Sequence, residues 1–436
     1  MKNLFLIILF FLTALTEISF GAVFNVTDPA SFQKALETAE TNNEDNVINV
    51  AQGTYSLSKT LEYNSSSKHS LTINGAGADK TILDGGGNIQ VMNIRTSGNL
   101  EINDLTIRNG NSSSYGGGLY AETRSSSMLI KNCFFTSNFS SQNGGGAELK
   151  TNNGEISMTR CLFYDNVSNY HGGGAFLFAY PEGEVHITST IFRNNKATKW
   201  GGGAFTEGNL NFINNTLFKN TSGWEGGGLF TYFLYDNWTG NIYNNIFLDN
   251  NCTCISGKDL DIDRINHTHA QINLFNNNFS GNANFESGNS ENFYINDPSL
   301  NYKHDNNLLV DPLFVNTSAN DFHLDSSSPL INTGLNSAPS LPATDFQGNN
   351  RIIGGIVDMG AYENNDKGIM IGDVNGDSSI NIIDALLIAR YSVSLPLRIF
   401  HPSAANVDCS DSINIVDALL VARKAVKLPV QSWCGK

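Results

Sequence analysis

Five triple glycines, beginning at Gly116, Gly144, Gly172, Gly201 and Gly226, recur at steps of 28, 28, 29 and 25 residues. A step of that size marks one supersecondary unit copied and stacked, because a single copy cannot bury its own apolar face. A second marker keeps the same step, an apolar residue followed three places later by asparagine. It falls at Phe135/Asn138, Phe163/Asn166, Phe192/Asn195, Leu217/Asn220 and Phe247/Asn250. Short β-rich runs separated by Gly, Asn and Ser, with few helix signals, predict strands joined by turns. The expected fold is mainly β, a parallel β-helix over residues 22–363.

Successive turns of such a coil stack at about 4.8 Å, so residues one period apart form columns. Ile107, Phe135, Phe163, Phe192, Leu217 and Phe247 form an inward column. The asparagines sit at a bend, where an amide can bridge coils and satisfy turn backbone groups. Leu105, Cys133, Cys161 and Thr190 line up two places before the Phe column. Cys133 and Cys161 are thereby within disulfide reach, with buried free thiols as the alternative. Ahead of the coils, DPASFQKALETAETNN reads as a capping helix with Phe32, Ala35, Leu36 and Ala39 on one face. It covers an edge that would otherwise invite aggregation.

The start, MKNLFLIILFFLTALTEISFGA, carries one Lys, an apolar run from Leu4 to Leu15, and small residues at Ser19 and Gly21. Residues 1–21 are expected to be a secretory signal peptide, since the run is too short to span a bilayer. A net charge of −15 and a pI near 4.9 disfavour nucleic acid and anionic membranes as partners. The expectation is an exported monomer, secreted or held at the cell surface through another protein. Six cysteines fit that compartment.

A second duplication closes the chain. DVNGDSSINIIDALLIARYSV, residues 373–393, is followed by NVDCSDSINIVDALLVARKAV, residues 406–426. In the first, oxygen-bearing side chains fall at loop positions 1, 3, 5, 9 and 12, namely Asp373, Asn375, Asp377, Asn381 and Asp384, with Ser379 at position 7. In the second, Asn406, Asp408, Ser410, Asn414 and Asp417 take those places, with Ser412 at 7. Alternating oxygens in a loop that runs into a helix suit Ca²⁺, which takes six to eight of them, so two calcium sites are expected. The second keeps two ligand carboxylates where the first has three, and should hold the ion more weakly. Cys409 and Cys434 are placed to clamp the terminal segment by a disulfide.

The Gly-Gly-Gly-Ala and Phe-x-x-Asn repeats resemble those of the chlamydial polymorphic outer-membrane proteins and the wider right-handed β-helix group that contains pectate lyases. The resemblance implies a right-handed coil. The stretch DPLFVN to GAYE resembles the choice-of-anchor region that closes many secreted β-helices, with Asp345, Arg351, Asp358 and Glu363 as a structural ion-pair cluster. Residues 369–436, after a linker at 364–368, resemble a dockerin, which implies a cohesin-type partner. Where many dockerins carry small hydroxyl residues after position 9, Ile382, Ile383, Ile415 and Val416 stand here as the partner-binding residues.

The chain has no adjacent Asp pair, no Gly-His-Gly and no Arg-x-Lys, so the aspartate cluster of β-helix hydrolases is missing. Arg160 and Arg193 are the candidate bases for a lyase, with His171 beside a triple glycine. Tyr115, Tyr170, Trp200 and Trp224 precede successive triplets, and Phe176, Phe205 and Phe230 follow them, with outward parity. They form either an exposed ladder for sugar faces or a surface covered by a neighbouring loop. Two functions follow: a carbohydrate-active enzyme, a polysaccharide lyase or a glycoside hydrolase, and a non-catalytic polysaccharide-binding adhesin.

Overall fold

The computed structural model describes residues 21–264, 269–296, 301–353 and 355–364, and in the C-terminal module 371–375, 377, 379–393, 395, 397, 400, 404–408, 410, 412–430 and 433. Residues 1–20 of the expected 1–21 leader and the Cys409–Cys434 pairing lie outside them.

The chain winds into a parallel β-solenoid of about ten turns. Each full turn contributes a strand to an 11-stranded, a nine-stranded and an eight-stranded parallel sheet, and the central turns add a two-residue rung to a fourth, six-stranded ladder. One coil runs Leu119–Thr123, Met128–Lys131, Phe134–Thr136 and Phe139–Ser140 before Ala147 pairs with Leu119 on the next. The first helix, α1 (Pro29–Ala39), is capped by Asp28, whose carboxylate accepts from Ala30 and Ser31 amides at 2.9 and 3.0 Å. It buries Phe32, Ala35, Leu36 and Ala39.

Two corners per coil are built from residues with positive φ. One column is Asp104, Asn132, Arg160, Ser189, Asn214, Asn244 and Asn276, and the other is Asn109, Ser137, Asp165, Asn194, Lys219 and Asp249. A left-handed residue turns the chain sharply enough that its successor points inward, and Asn and Asp tolerate that backbone best after Gly. After the second corner come the repeat asparagines. Each of Asn138, Asn166, Asn195 and Asn220 donates Nδ2 to the Oδ1 of the next at 2.9 Å. Each backbone amide also donates to that same oxygen, at 3.0 or 3.1 Å. The last, Asn250, donates to Asp259 Oδ1 at 2.9 Å. Asp259 is fully buried, and burial pushes its carboxyl up to about 6.

After the first corner lies a second column, which begins as Leu105, Cys133, Cys161 and Thr190 and becomes an amide ladder through Asn215, Asn245, Asn277 and Asn307. The expected Cys133–Cys161 disulfide does not form: both are free and buried. Their Cβ vectors run parallel on stacked coils, a poor geometry for bridging. Each thiol instead donates to backbone carbonyls, Cys133 to Lys131 at 3.2 Å and Cys161 to Thr159 at 3.4 Å. A disulfide joins Cys252 to Cys254. The inward phenylalanines stack face to face, Phe135 on Phe163 at 4.6 Å and Phe163 on Phe192 at 5.0 Å.

The triple glycines pack where two coils nearly touch. The first of each has φ between +58° and +69°. The second leaves no room for a side chain, since a Cβ on Gly173 would lie 2.4 Å from the Gly202 carbonyl oxygen.

After the last parallel strand, Tyr302–Asp305, the chain turns back over the outside of the coil. Outward Ile191 and Phe218 of the eight-stranded sheet are buried against Phe322, Ala361 and Tyr362 of this return layer. The corner residues anchor it: Asn214 donates to the Asp358 carbonyl at 2.8 Å, and Asn244 accepts from the Leu335 amide at 2.7 Å. Inside the layer the fully buried Arg351 donates to the Gly360 and Ala361 carbonyls at 2.9 and 2.6 Å and lies 3.7 Å from Glu363. Asp345, Arg351, Asp358 and Glu363 do form one structural cluster. Three carboxyls around one guanidinium cannot all ionise cheaply. Burial and then Asp358 push Glu363 up to about 8, and burial pushes Asp358 up to about 6.

Asn195→Ala would strand the Asn166 amide and side chain and the Phe163 carbonyl. It should cost about 3 kcal/mol, since each buried unpaired group costs roughly 1–3 kcal/mol, read as a lowered urea midpoint of the solenoid. Asp259, Asp358 and Glu363 all have folded pKa values raised above their unfolded ones. The native state therefore holds protons that unfolding releases, so solenoid stability should be full below the ordinary carboxylate range and fall as pH rises from about 4.5 towards 8. Thermal scans at pH 5 and pH 8 check this, with the higher midpoint expected at pH 5.

Candidate functional site in the terminal loops and the aromatic face

In the C-terminal module, helices α2 (Ile382–Ser392) and α3 (Ile415–Ala425) pack together over a core of Val374, Ala385, Ile388, Ala404, Ala405, Val407, Ala418 and Val421. The sequence sets both helix starts alike. Asn381 and Asp384, and Asn414 and Asp417, form reciprocal capping boxes, in which each side chain satisfies an amide of the first turn.

The same aspartates reach back into the loops. Asp384 Oδ1 accepts from the Val374 and Asn375 amides at 2.9 and 3.3 Å, while Oδ2 accepts from Asn381 at 2.9 Å. Asp417 repeats this with Val407, Asp408 and Asn414 at 2.8, 3.3 and 2.8 Å. Asp373 Oδ1 and Asn375 Oδ1 accept from the Asp377 amide, and Asp377 Oδ1 from Ser379. In the second loop Asp408 Oδ1 accepts from Ser410 at 2.9 Å, and Asn406 donates to the Ser410 carbonyl. Hydrogen bonds thus link Asp373, Asn375, Asp377, Ser379, Asn381 and Asp384 within the first loop, and Asn406, Asp408, Ser410, Asn414 and Asp417 within the second. Residues 371–425 match the dockerin type I domain.

No curated protein matches the chain. Type I dockerins generally bind calcium, and the first loop's donor set fits that ion. Its side chains offer hard oxygens only, which suits calcium over softer metals. Asp373 and Asp384 are both buried, and burial, with the charge of Asp373 added, raises the Asp384 carboxyl. Two carboxylates drawn together against that cost are the arrangement a dication would relieve. On the dockerin's outer surface Ile382 and Ile383 are exposed with Leu386, and Ile415 and Val416 with Leu419. The sequence reading missed the two leucines, although their place one helical turn on, at the i+3 and i+4 spacing, marks them.

The lyase candidates are not brought together. Arg160 occupies a left-handed corner, donating Nε to Asn132 at 2.6 Å and Nη1 to Thr344 of the return layer at 3.3 Å. Arg193 lies buried under that layer, 4.3 Å from the Tyr164 ring centroid. His171 is on another face, stacked on Trp200 at 4.6 Å. Burial, then Lys199, pulls its pKa down to about 4. Arg160 is held by hydrogen bonds, and Arg193 and His171 by ring contacts, none of which the sequence pattern shows.

The aromatic face is layered. On the outer side of the nine-stranded sheet, Tyr120, Glu148, Phe176, Phe205 and Phe230 form one column. Its parity is outward, yet Phe176, Phe205 and Phe230 are buried. His171 and Trp200 roof them, with Trp200 stacked on Phe230 at 5.3 Å. The two alternatives thus divide between the rows: Tyr115, Tyr170 and Trp224 are exposed and Trp200 is half-buried, while Phe176, Phe205 and Phe230 are covered, by His171 and Trp200. Lys199 Nζ lies 3.8 Å from the Tyr170 ring centroid and 4.6 Å from that of Trp224. In the same column Glu148 is fully buried 2.5 Å from Lys150 Nζ, and burial pushes it up to about 7.

Because metal binding to such loops supplies folding energy, chelation should remove the helical circular dichroism of α2 and α3 while the sheet signal of the solenoid persists. An unchanged spectrum in chelator would contradict the calcium assignment.

Proposed function

We propose that the protein is an exported β-solenoid that binds extracellular polysaccharide and is attached to a cohesin-bearing scaffold through its dockerin. Dockerin domains generally bind cohesin domains. The reading of two calcium sites rests on the duplicated loops, with Asp373, Asn375, Asp377, Ser379, Asn381 and Asp384 around the first, and Asn406, Asp408, Ser410, Ser412, Asn414 and Asp417 around the second. The second loop, with fewer carboxylates, takes the ion more weakly. Ile382, Ile383, Ile415 and Val416 form the cohesin-facing surface, so the partner must offer apolar ground where hydroxyl-bearing dockerins offer hydrogen bonds.

The observation that carries the polysaccharide reading is the half-open row Tyr115, Tyr170, Trp200 and Trp224 along one bend, stiffened from below by buried Phe176, Phe205 and Phe230. Aromatic faces with polar edges match pyranose rings. A fixed platform binds at low ordering cost. Among the described residues no helix is long and apolar enough to cross a membrane. A non-catalytic adhesin built on the same face is the second reading, favoured by the engagement of Arg160, Arg193 and His171 in structure.

Affinity electrophoresis in gels containing neutral polysaccharides tests the platform. Retardation of the full chain should weaken at least about tenfold in Trp200→Ala/Trp224→Ala, since each stacking aromatic contributes on the order of 1 kcal/mol. Equal mobility of both proteins in every gel would remove this reading.

A further inference from the structure

One part of the same face carries chemistry that the aromatic row does not use. In the strand Leu260–Arg264, Leu260 and Ile262 point into the core while Asp261 and Asp263 point outward, paired with Phe230 and Tyr232 on the preceding coil. The sequence reads Leu-Asp-Ile-Asp, so an adjacent-pair search passes over it, although alternate residues of a strand share a face. The two carboxyls differ in setting. Asp263 is half-buried and hydrogen-bonded, its Oδ1 accepting from the Arg264 amide at 2.8 Å and from the Asn296 side chain. Asp261 is 2% exposed, and its Oδ2 has no hydrogen-bond partner. Gly257 stands directly over it, so close that a Cβ there would lie 2.5 Å from Oδ2. Burial first of all, then the charges of Glu225 and Asp263, raise the Asp261 carboxyl well above the ordinary range, and burial raises Asp263 as well. Glu225 in turn accepts a hydrogen bond from Trp200 Nε1, and Trp200 meets exposed Trp224 at 5.4 Å. The aromatic platform thus ends at this pair.

We infer that Asp261 and Asp263 are the acid and base of a glycosidic hydrolysis carried out on a neutral polysaccharide bound along Trp200 and Trp224. The inference rests on the polysaccharide reading above. Two residues of strand separate their Cα atoms by about 6.6 Å, and inverting glycosidases keep their two carboxyl groups roughly 6.5–9.5 Å apart to admit a water between acid and base. Asp261 donates its proton to the glycosidic oxygen as the bond to the anomeric carbon breaks. Asp263 takes a proton from the water whose oxygen bonds to that carbon from the opposite side. One bond is hydrolysed, one water is consumed, and the proton gained by Asp263 returns through solvent to Asp261. The loop through Gly257 must lift for the glycan to reach the acid. The charges of Glu225 and Asp263 bear on this ground, which selects a neutral chain over a uronate.

The test uses the full chain with xylan, galactan, arabinan, mannan and mixed-linkage β-glucan, measuring new reducing ends and, by NMR, the anomer first released. Wild type should release product of inverted configuration from at least one. Asp261→Asn and Asp263→Asn should each lower the rate by about 10²–10⁴-fold, the usual worth of a positioned acid or base, with gel retardation and melting midpoint retained. No new reducing ends from any of the five, with retardation intact, would overturn the hydrolysis and leave the binding reading standing. Loss of retardation as well would remove both. Equal rates in wild type and the two variants would also overturn it, as would a retained configuration.

Discussion

Stacked coils are held in register by one interaction repeated, an asparagine amide that donates to its counterpart on the next coil and to a carbonyl of the preceding one. Parallel strand pairing alone would tolerate sliding, because backbone bonds do not distinguish one residue from the next. The ladder does distinguish them. It is buried, so a slipped register would leave amides without partners at roughly 1–3 kcal/mol each, and it is set by a left-handed residue immediately before it. Aromatic stacking inside and the return layer outside depend on the corners holding their places.

Those corners also decide what can be functional on each face. Where Ser189, Asn214, Asn244 and Asn276 offer side chains outward, the return layer takes hold and covers Ile191 and Phe218 of the eight-stranded sheet. Among the described residues nothing covers Trp224 beside the nine-stranded sheet in that way, and there half-exposed aromatics and carboxyls collect. Arg193 became a packed cation, and Asp263 a half-open carboxylate, by which side of the coil each strand faces.

Much of this was legible from spacing. The ladder Asn138 to Asn250, the inward Phe column, the buried face of α1 and the registers of both dockerin loops all follow from counting residues, because each reports a repeating environment. The second ladder, Asn215 to Asn307, was half visible as the Leu105–Thr190 column but changes residue type midway. What spacing could not give was contact between distant segments. The return layer that buries Arg193, the roof that closes Phe176, Phe205 and Phe230, and the crowding of Asp261 by Glu225 each join residues with no shared period. The thiols of Cys133 and Cys161 fell between: their column was right, and their vectors ruled out the bond.

The Asn ladder has a polarity. Every rung passes its donor in the same direction, and the run ends on Asp259, which accepts and has nothing further to give. A chain of identical links with a distinct terminator can gain or lose a link without a new ending. Lengthening this molecule therefore needs only one more copied coil inserted above Asp259, and the reach of its aromatic face is set by copy number rather than by refitting the dockerin or the cap.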